Sequence, residues 1–128
     1  MKEQLNSVKE FHEKFKQEIG YSPSLITREE GALRHRLMLE ELNEYLDAVY
    51  ANDTTGVADA LGDQLYILCG TILKHGMQHV IVDVFNEIHR SNMSKLGEDG
   101  EPILREDGKI LKGPGYTPPD IEGVLMPF

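Results

Sequence analysis

The 128-residue chain has few cations, one cysteine, no tryptophan and no long apolar run. Lys and Arg number 13 against 22 Asp and Glu, so the net charge is −9. This charge argues against nucleic-acid binding, because a phosphate backbone is held by clustered cations. A single Cys69 excludes an internal disulfide framework and suits a reducing compartment. We therefore expect a cytoplasmic protein.

Neither a membrane span nor an export signal is visible in the sequence. The longest apolar-rich run covers residues 65–73, whereas a helix that crosses a bilayer needs roughly 20 residues. The first residues, MKEQL, lack the apolar segment of a signal peptide. With 40% hydrophobic and 27% charged residues, the composition predicts a folded chain with one modest core and no membrane partner.

Four segments have the apolar spacing of three and four residues that is typical of amphipathic helices. They cover about residues 3–19, 28–51, 55–75 and 78–95. Thr27, with Glu30 three residues later, predicts an N-cap for the second helix. Gly76 is expected to be the residue that follows the end of the third helix. From Leu65 onward the third is apolar on nearly every side, as expected of a helix surrounded by others. The fourth is expected to turn five residues inward: Val80, Ile81, Val84, Phe85 and Ile88.

The segment after Gly97 is rich in Gly, Pro and Asp and has no helical spacing. Asp107-Gly108 lies between short apolar runs, which predicts a hairpin with strands near residues 102–105 and 109–112. An extended tail is the alternative. The expected fold is an all-α bundle of four to five helices, with the bundle over residues 1–96 and the C-terminal tail, residues 97–128, packed on it.

Acids interrupt two apolar rows on the second and third helices. The row on the second helix covers only about 80° of its circumference and consists of Leu33, Leu37, Glu41, Glu44 and Ala48. On the third helix, Asp59 and Asp63 lie one turn apart and share a face with Ile67 and Gly70.

Carboxylates in such rows are costly to bury unless they are protonated, paired with cations or bound to a metal. These helices carry few basic neighbours, so the pattern indicates a divalent cation. Oxygen ligands select hard ions, and Mg²⁺ is therefore expected, with Mn²⁺ as a substitute. A solvated acidic face is the alternative interpretation.

Cations that could meet an anion lie later in the chain. On the fourth helix the row Ile81, Phe85, Ile88 continues into Asn92 and Lys95, and Arg105, Lys109 and Lys112 follow. An amide and ammonium groups can contact phosphate oxygens. Metal ions and cations together are typical of phosphoryl chemistry, in which a positioned water attacks in line. For Lys95, a solvated helix end favoured by the helix dipole is the alternative.

Two segments carry a family resemblance. The segment RHRLMLEELNE at residues 34–44, followed by DALGD at 59–63, resembles the all-α nucleoside triphosphate pyrophosphohydrolases. In this superfamily, which includes the MazG-like and phosphoribosyl-ATP pyrophosphohydrolases, the motif is E-x-x-E followed by E-x-x-D. The similarity extends from residues 11–15 to residues 91–95, and the tail from 107 to 116 resembles the small MazG-like branch.

The resemblance implies hydrolysis of a nucleoside triphosphate between the α and β phosphorus, giving a monophosphate and pyrophosphate. By position, the resemblance implies that Glu41, Glu44 and Asp63 are the metal ligands. It also implies that Glu40 is an acid that supports a further ion or orients water. The glutamate expected three residues before Asp63 is Ala60 here, and Asp59 is expected to substitute as a ligand, so the number of ions stays open.

The same resemblance concerns the substrate and the assembly. Asn92 and Lys95 match phosphate-contacting positions, and the other expected substrate contacts are Lys109, Lys112, Tyr116 and His12. The base needs an apolar or aromatic slot, for which Phe11, His12, Phe15 and Tyr116 are candidates. A chain this small buries more apolar surface when two copies pair, so we expect a homodimer or a dimer of dimers.

The resemblance leaves the preferred base and sugar of the substrate open. The substrate of the histidine-biosynthesis enzymes is a less favoured choice, because the tail and Ala60 fit the MazG-like branch better.

Two other functions remain open at this point. A di-iron carboxylate protein needs Glu-x-x-His on two helices, and no glutamate here has histidine at the third following position. A helical interaction or nucleotide-binding module without catalysis would carry its acids on an outer face. Ala60 keeps that alternative open.

Overall fold

The computed structural model describes residues 1–126 and contains five helices and one small sheet in that range. The elements are α1 Lys2–Lys14, α2 Arg28–Tyr50, α3 Thr54–Lys74, α4 Ile81–Met93, β1 Ile103–Leu104, β2 Ile110–Leu111 and α5 Ile121–Leu125. The predicted all-α fold with a short C-terminal hairpin is confirmed. No described helix is both long and apolar enough to cross a membrane.

The chain divides into two compact units, Met1–His79 and Val80–Phe128. The first holds α1, α2 and α3, and the second holds α4, the hairpin and α5. The grouping of α4 with the first three helices into a bundle over residues 1–96 therefore stays a prediction.

The first unit is built on a helical hairpin of α2 and α3, which pack on each other. The predicted N-cap of α2 is confirmed, because the Thr27 hydroxyl accepts a hydrogen bond from the Glu30 amide. A short turn with Asn52 in the left-handed region (φ 54°) joins the helices, and Asp53 caps α3 by accepting from the Gly56 amide. A connection this short makes α2 and α3 antiparallel neighbours.

The core of the first unit lies where α1 and α2 cover α3. From α1 it takes Leu5 and Val8, and from α3 it takes Ala60, Cys69, Ile72 and Leu73. The end of α3 agrees with the prediction, since Gly76 follows the helix with φ 67°, a conformation that suits glycine. A side chain there would also collide with the Ser22 carbonyl.

The predicted end of the first helix at about residue 19 is wrong. The helix ends at Lys14, because Lys16 takes a left-handed conformation (φ 57°) and the Gln17 amide donates to the His12 carbonyl. Residues 17–20 then run without regular structure, and the Glu18 carbonyl pairs with the His12 ring. The apolar spacing continues to Ile19 although the helix does not.

Several apolar residues predicted to face inward are exposed. In α4, Phe85 is 68% exposed and Ile88 is also exposed, while Ile81, Val84 and the N-cap residue Val80 are buried or half-buried. The helix itself begins at Ile81 instead of about residue 78. In α3, Leu65 and Leu68 are exposed, so residues 1–126 do not surround this helix on all sides.

The second unit is held by polar contacts between α4 and the segment before α5. The Arg90 guanidinium donates to Glu87, to the Thr117 hydroxyl and to the Pro118 carbonyl, and the Ser91 hydroxyl donates to the Thr117 carbonyl. Strands β1 and β2 pair antiparallel with Ile103 opposite Leu111. Helix α5, capped by the Asp120 carboxylate, was not predicted.

Candidate metal and nucleotide site

Three acids of the first unit converge between α2 and α3. Glu41 and Glu44 are three residues apart on α2, so they project from one side of it, and Asp63 comes from the facing helix. One carboxylate oxygen from each lies within 4.8 Å of the others. The two interrupted apolar rows therefore meet, as the sequence pattern predicts.

The trio is electrostatically crowded. Burial raises the pKa of Glu41 to about 7, helped by a hydrogen bond with Glu44 and by the negative charges of Glu44, Asp63 and Asp59. Its Oε2 atom is buried without a hydrogen-bond partner. Among the described residues, none of the three acids forms an ion pair.

These observations fit a divalent cation. A buried, unpartnered carboxylate oxygen is costly, and like charges at this separation repel. A cation among the three oxygens would remove both costs, and an all-oxygen set suits a hard ion. The donor set and the orphaned oxygen therefore support a metal centre formed by Glu41, Glu44 and Asp63.

Two predicted acids lie outside the trio. Asp59 is exposed on α3 one turn before Asp63, and it acts on the trio as one of the charges that raise the pKa of Glu41. Glu40 is exposed on α2. Neither has an oxygen within 4.8 Å of all three clustered ligand atoms. Their assignment as a ligand and as a supporting acid stays a prediction.

The predicted cationic and aromatic contacts lie in the second unit. Asn92 is exposed near the end of α4, and Lys95 follows the helix, with its carbonyl accepting from the Gly113 amide. Lys109 is exposed in the hairpin turn, where its amide donates to Asp107. The Lys112 ammonium lies 4.8 Å from the centre of the Tyr116 ring. Within this unit, Lys112 and Tyr116 are in contact.

His12 lies in the first unit, in the wall of a cavity between α1, α2 and α3. The cavity has a volume of about 360 Å³ and ten lining residues: Val8, Phe11, His12, Gln17, Leu33, Arg34, Leu37, Tyr66, Ile67 and Gly70. His12 is buried, and its Nδ1 atom lies 3.2 Å from the Glu18 carbonyl. Burial lowers the pKa of His12, so the ring is neutral near pH 7.

Arg34 also lines the cavity, although the sequence patterns did not predict it as a site residue. Its guanidinium is buried, with Nε donating to the Thr71 hydroxyl and Nη2 to the Ile67 carbonyl, both at 3.0 Å. The available signal was its place between Leu33 and Leu37, beside the apolar row that leads to Glu41. A cation at that position on a core-facing helix indicates a buried polar contact.

Matches to known proteins cover most of the chain. The family model for phosphoribosyl-ATP pyrophosphohydrolase matches residues 8–92, a range that includes the three clustered acids and all ten residues of the cavity wall. Among solved structures, the chain is similar to a candidate NTP pyrophosphohydrolase from Exiguobacterium sp. 255-15. The two share 25% identity over 93% of this chain and 90% of that chain, with a TM-score of 0.50. No curated protein matches significantly. Because the family model matches about two thirds of its length, the chain belongs to the phosphoribosyl-ATP pyrophosphohydrolase family, within the superfamily that includes the MazG-like enzymes.

Proposed function

We propose that the chain hydrolyses a nucleoside triphosphate, ribo or deoxy, between its α and β phosphates in a Mg²⁺-dependent reaction of the MazG-like type. The products are a nucleoside monophosphate and pyrophosphate. The observation that carries the proposal is the unpaired acidic trio of Glu41, Glu44 and Asp63, with its orphaned Glu41 oxygen. Family membership supports the coarser class of nucleotide pyrophosphohydrolase.

In this proposal each acidic residue of the site has a stated role. Glu41, Glu44 and Asp63 hold the ion, which when bound supplies positive charge that neutralises phosphate oxygens and acidifies water. Asp59 supports the same ion or a second one, and Glu40 orients the attacking water. The water oxygen bonds to phosphorus as the bond to the leaving pyrophosphate breaks. A carboxylate of the site takes the water proton and returns it to solvent.

The proposed phosphate and nucleoside contacts come from the remaining predicted residues. Asn92, Lys95, Lys109 and Lys112 supply an amide and three ammonium groups, which neutralise phosphate oxygens in a chain of net charge −9. Tyr116 and His12 contact the nucleoside. We further propose that the active form is a homodimer or a dimer of dimers acting in the cytoplasm.

A direct test is to incubate the purified protein with Mg²⁺ and a panel of ribo- and deoxynucleoside triphosphates and to assay pyrophosphate and monophosphate. Glu41→Gln, Glu44→Gln and Asp63→Asn should each lower kcat by about 100-fold or more, because each removes a charge that holds the ion. Glu13→Gln, an exposed acid on α1, is the matched control and should keep full activity.

Each alternative has its own signature in this assay. Orthophosphate without pyrophosphate would mean a different cleavage point. No turnover together with no Mg²⁺-dependent nucleotide binding would favour an interaction module. Bound iron with visible absorbance would favour an oxidoreductase of the di-iron type.

A further inference from the structure

Gln64 follows Asp63 on α3 and carries a buried amide nitrogen. The residue is half-buried, and its Nε2 atom is sealed from solvent with no hydrogen-bond partner among residues 1–126. A buried donor that stays unpaired destabilises the fold, because it loses its hydrogen bonds to water without replacement. Since most buried polar groups in folded proteins are paired, this atom points to a function.

Two contacts set the register between the antiparallel helices α2 and α3. Near one end of the pair, the Arg34 guanidinium donates to the Thr71 hydroxyl at 3.0 Å. Near the other, the Ala48 side chain lies 3.1 Å from the position where a Gly56 side chain would begin. Two helical turns take about seven residues and bring a helix back to the same face. A step of this length along both helices therefore leads from one facing pair to the next.

Both contacts lead to Glu41. A step of seven residues from the Arg34–Thr71 contact, forward on α2 and backward on α3, ends at Glu41 and Gln64. The same step inward from the other contact ends at Glu41 and Asp63. The carboxylates of Glu41 and Asp63 do converge, which agrees with this register. Gln64 therefore faces Glu41 across the interface between the two helices.

Glu41 carries the atom that complements Gln64. Within the described residues, Glu41 Oε2 is a buried acceptor without a partner, and Gln64 Nε2 is a buried donor without one. In the metal-free protein Glu41 shares a hydrogen bond with Glu44 instead. When Glu41 serves as a metal ligand, it gives up that bond, and its remaining lone pairs need a donor.

We propose that Gln64 is a positioning residue of the metal centre, which donates from Nε2 to Glu41 Oε2 when Glu41 holds the ion. This inference rests on the proposed function, which makes Glu41 a ligand. Carboxylate ligands in metal sites are themselves hydrogen-bonded, and these bonds fix their orientation. Because the amide is uncharged, Gln64 orients Glu41 without cancelling the negative charge that the trio offers to a cation.

The orientation of the amide agrees with this role. A glutamine side chain has a carbonyl end that only accepts and an N–H₂ end that donates twice. With the carbonyl turned inward, its oxygen would face the carboxylates of Glu41 and Asp63, which are acceptors when ionised. With Nε2 as the buried end, an N–H is available to them.

The first test compares Gln64→Met with wild type by calorimetric titration of Mg²⁺ and by thermal unfolding in EDTA. Methionine is similar to glutamine in length and donates no hydrogen bond. Mg²⁺ affinity should fall by about 10- to 100-fold, as is usual when the partner of a metal ligand is lost. The melting temperature in EDTA should stay the same or rise, because an unpaired buried donor is removed. A residue that only supports the fold would lower the melting temperature and leave Mg²⁺ affinity unchanged.

Gln78→Met is the matched control. Gln78 is also half-buried in the first unit, and its Oε1 atom is also buried without a partner among residues 1–126. Its nitrogen, however, already donates to the Gly20 carbonyl at 2.8 Å. Gln78→Met should therefore lower the melting temperature in EDTA and keep Mg²⁺ affinity within about threefold of wild type. The two variants thus have opposite expected effects on stability and on metal binding.

A second measurement uses wild-type protein alone. In a ¹⁵N-correlated NMR spectrum, the side-chain N–H₂ signals of Gln64, assigned through its backbone, should shift downfield as Mg²⁺ is added. The reason is that one of the two protons enters a hydrogen bond to a charged acceptor. The corresponding signals of Gln78 should stay in place.

The outcomes separate this inference from the proposed function. Equal Mg²⁺ affinity of Gln64→Met and wild type, or a Gln64 side-chain signal that does not respond to Mg²⁺, overturns the positioning role and leaves the metal centre intact. Wild-type protein that binds no Mg²⁺ overturns the metal centre and this inference with it. Mg²⁺ binding that weakens in Gln64→Met, without pyrophosphate release from any triphosphate, supports the positioning role and contradicts the proposed reaction. If Gln64→Met does not fold, the wild-type NMR signal decides.

Discussion

At the scale of single residues, Glu41 makes the metal-free protein sensitive to pH. Its pKa is raised to about 7, by burial first and then by Glu44, Asp63 and Asp59, from an ordinary 4.5. Between these two values the folded chain binds a proton that the unfolded chain does not, so stability falls as pH rises through this window. In EDTA, urea unfolding of wild type should lose stability between pH 5.5 and pH 8 relative to Glu41→Gln. Parallel pH profiles for the two proteins would contradict this reading.

The same proton competes with the metal. Ligand carboxylates must be deprotonated to bind an ion, so Mg²⁺ should raise the melting temperature more at pH 8 than at pH 5.5. Titration of Mg²⁺ by differential scanning fluorimetry at both pH values measures this. Asp63→Asn should remove most of the response, and Glu13→Gln, distant in sequence from the trio, should keep it. A response that is independent of pH would argue against Glu41 as a ligand.

Single residues also mark how far the sequence alone predicts the site. Glu41, Glu44 and Asp63 were predictable, because acids in apolar rows of neighbouring helices have few other arrangements with low energy. The position of Arg34 between Leu33 and Leu37 signals its burial, but its partners Ile67 and Thr71 were not predictable, because they are 33 and 37 residues away. Local spacing carries no information about which distant acceptor a long side chain will reach.

At the scale of elements, the end of α1 depends on one strained residue. Lys16 has φ 57°, a conformation that costs an L-residue with a side chain about 1–2 kcal/mol and that glycine adopts freely. Lys16→Gly should therefore raise the free energy of unfolding by about 0.5–1 kcal/mol, measured by urea denaturation. Lys9→Gly, at an exposed position in the interior of α1, is the control of opposite sign and should lower it by about 1 kcal/mol. A loss of stability in Lys16→Gly would contradict the assignment.

The start of α2 depends on one hydroxyl. Thr27 accepts from the Glu30 amide at 3.1 Å, so Thr27→Ala should lower the free energy of unfolding by about 1 kcal/mol. Thr27→Ser keeps the acceptor and should stay within about 0.5 kcal/mol of wild type. If both substitutions have the same effect, the cap contributes nothing beyond the backbone conformation at this position.

Element boundaries with a specific cap were predictable, and the others were not. Thr27 marks a helix start by its hydroxyl, and Gly76 marks a helix end by its left-handed backbone. Both signals can be recognised from a segment of four or five residues. The end of α1 has no such signal, because Lys16 is an uncommon residue at a left-handed position. Helix α5 is five residues long, too short for apolar spacing to show, although Asp120 supplies its cap.

At the scale of the whole molecule, the first unit exposes two apolar stripes on helices that pack on each other. On α2 the stripe is Leu39, Leu42, Leu46 and Val49, and on α3 it is Leu61, Leu65 and Leu68, each residue being 40–51% exposed. Stripes at this spacing normally face another helix. Exposed apolar surface of this extent marks an interaction site, and the proposed homodimer supplies a partner of matching chemistry.

The assembly can be tested by light scattering after size-exclusion chromatography. Pairing of two copies along these stripes predicts a mass of twice 14.5 kDa for wild type, or four times for a dimer of dimers. Leu46→Asp and Leu65→Asp should each shift the protein to the mass of one chain, because a carboxylate in a packed helix interface loses its water without gaining a partner. Leu25→Asp, at a residue 92% exposed between α1 and α2, should leave the mass unchanged. A wild-type mass of one chain at about 100 μM, well above the Kd of a stable dimer, would assign the stripes to another partner.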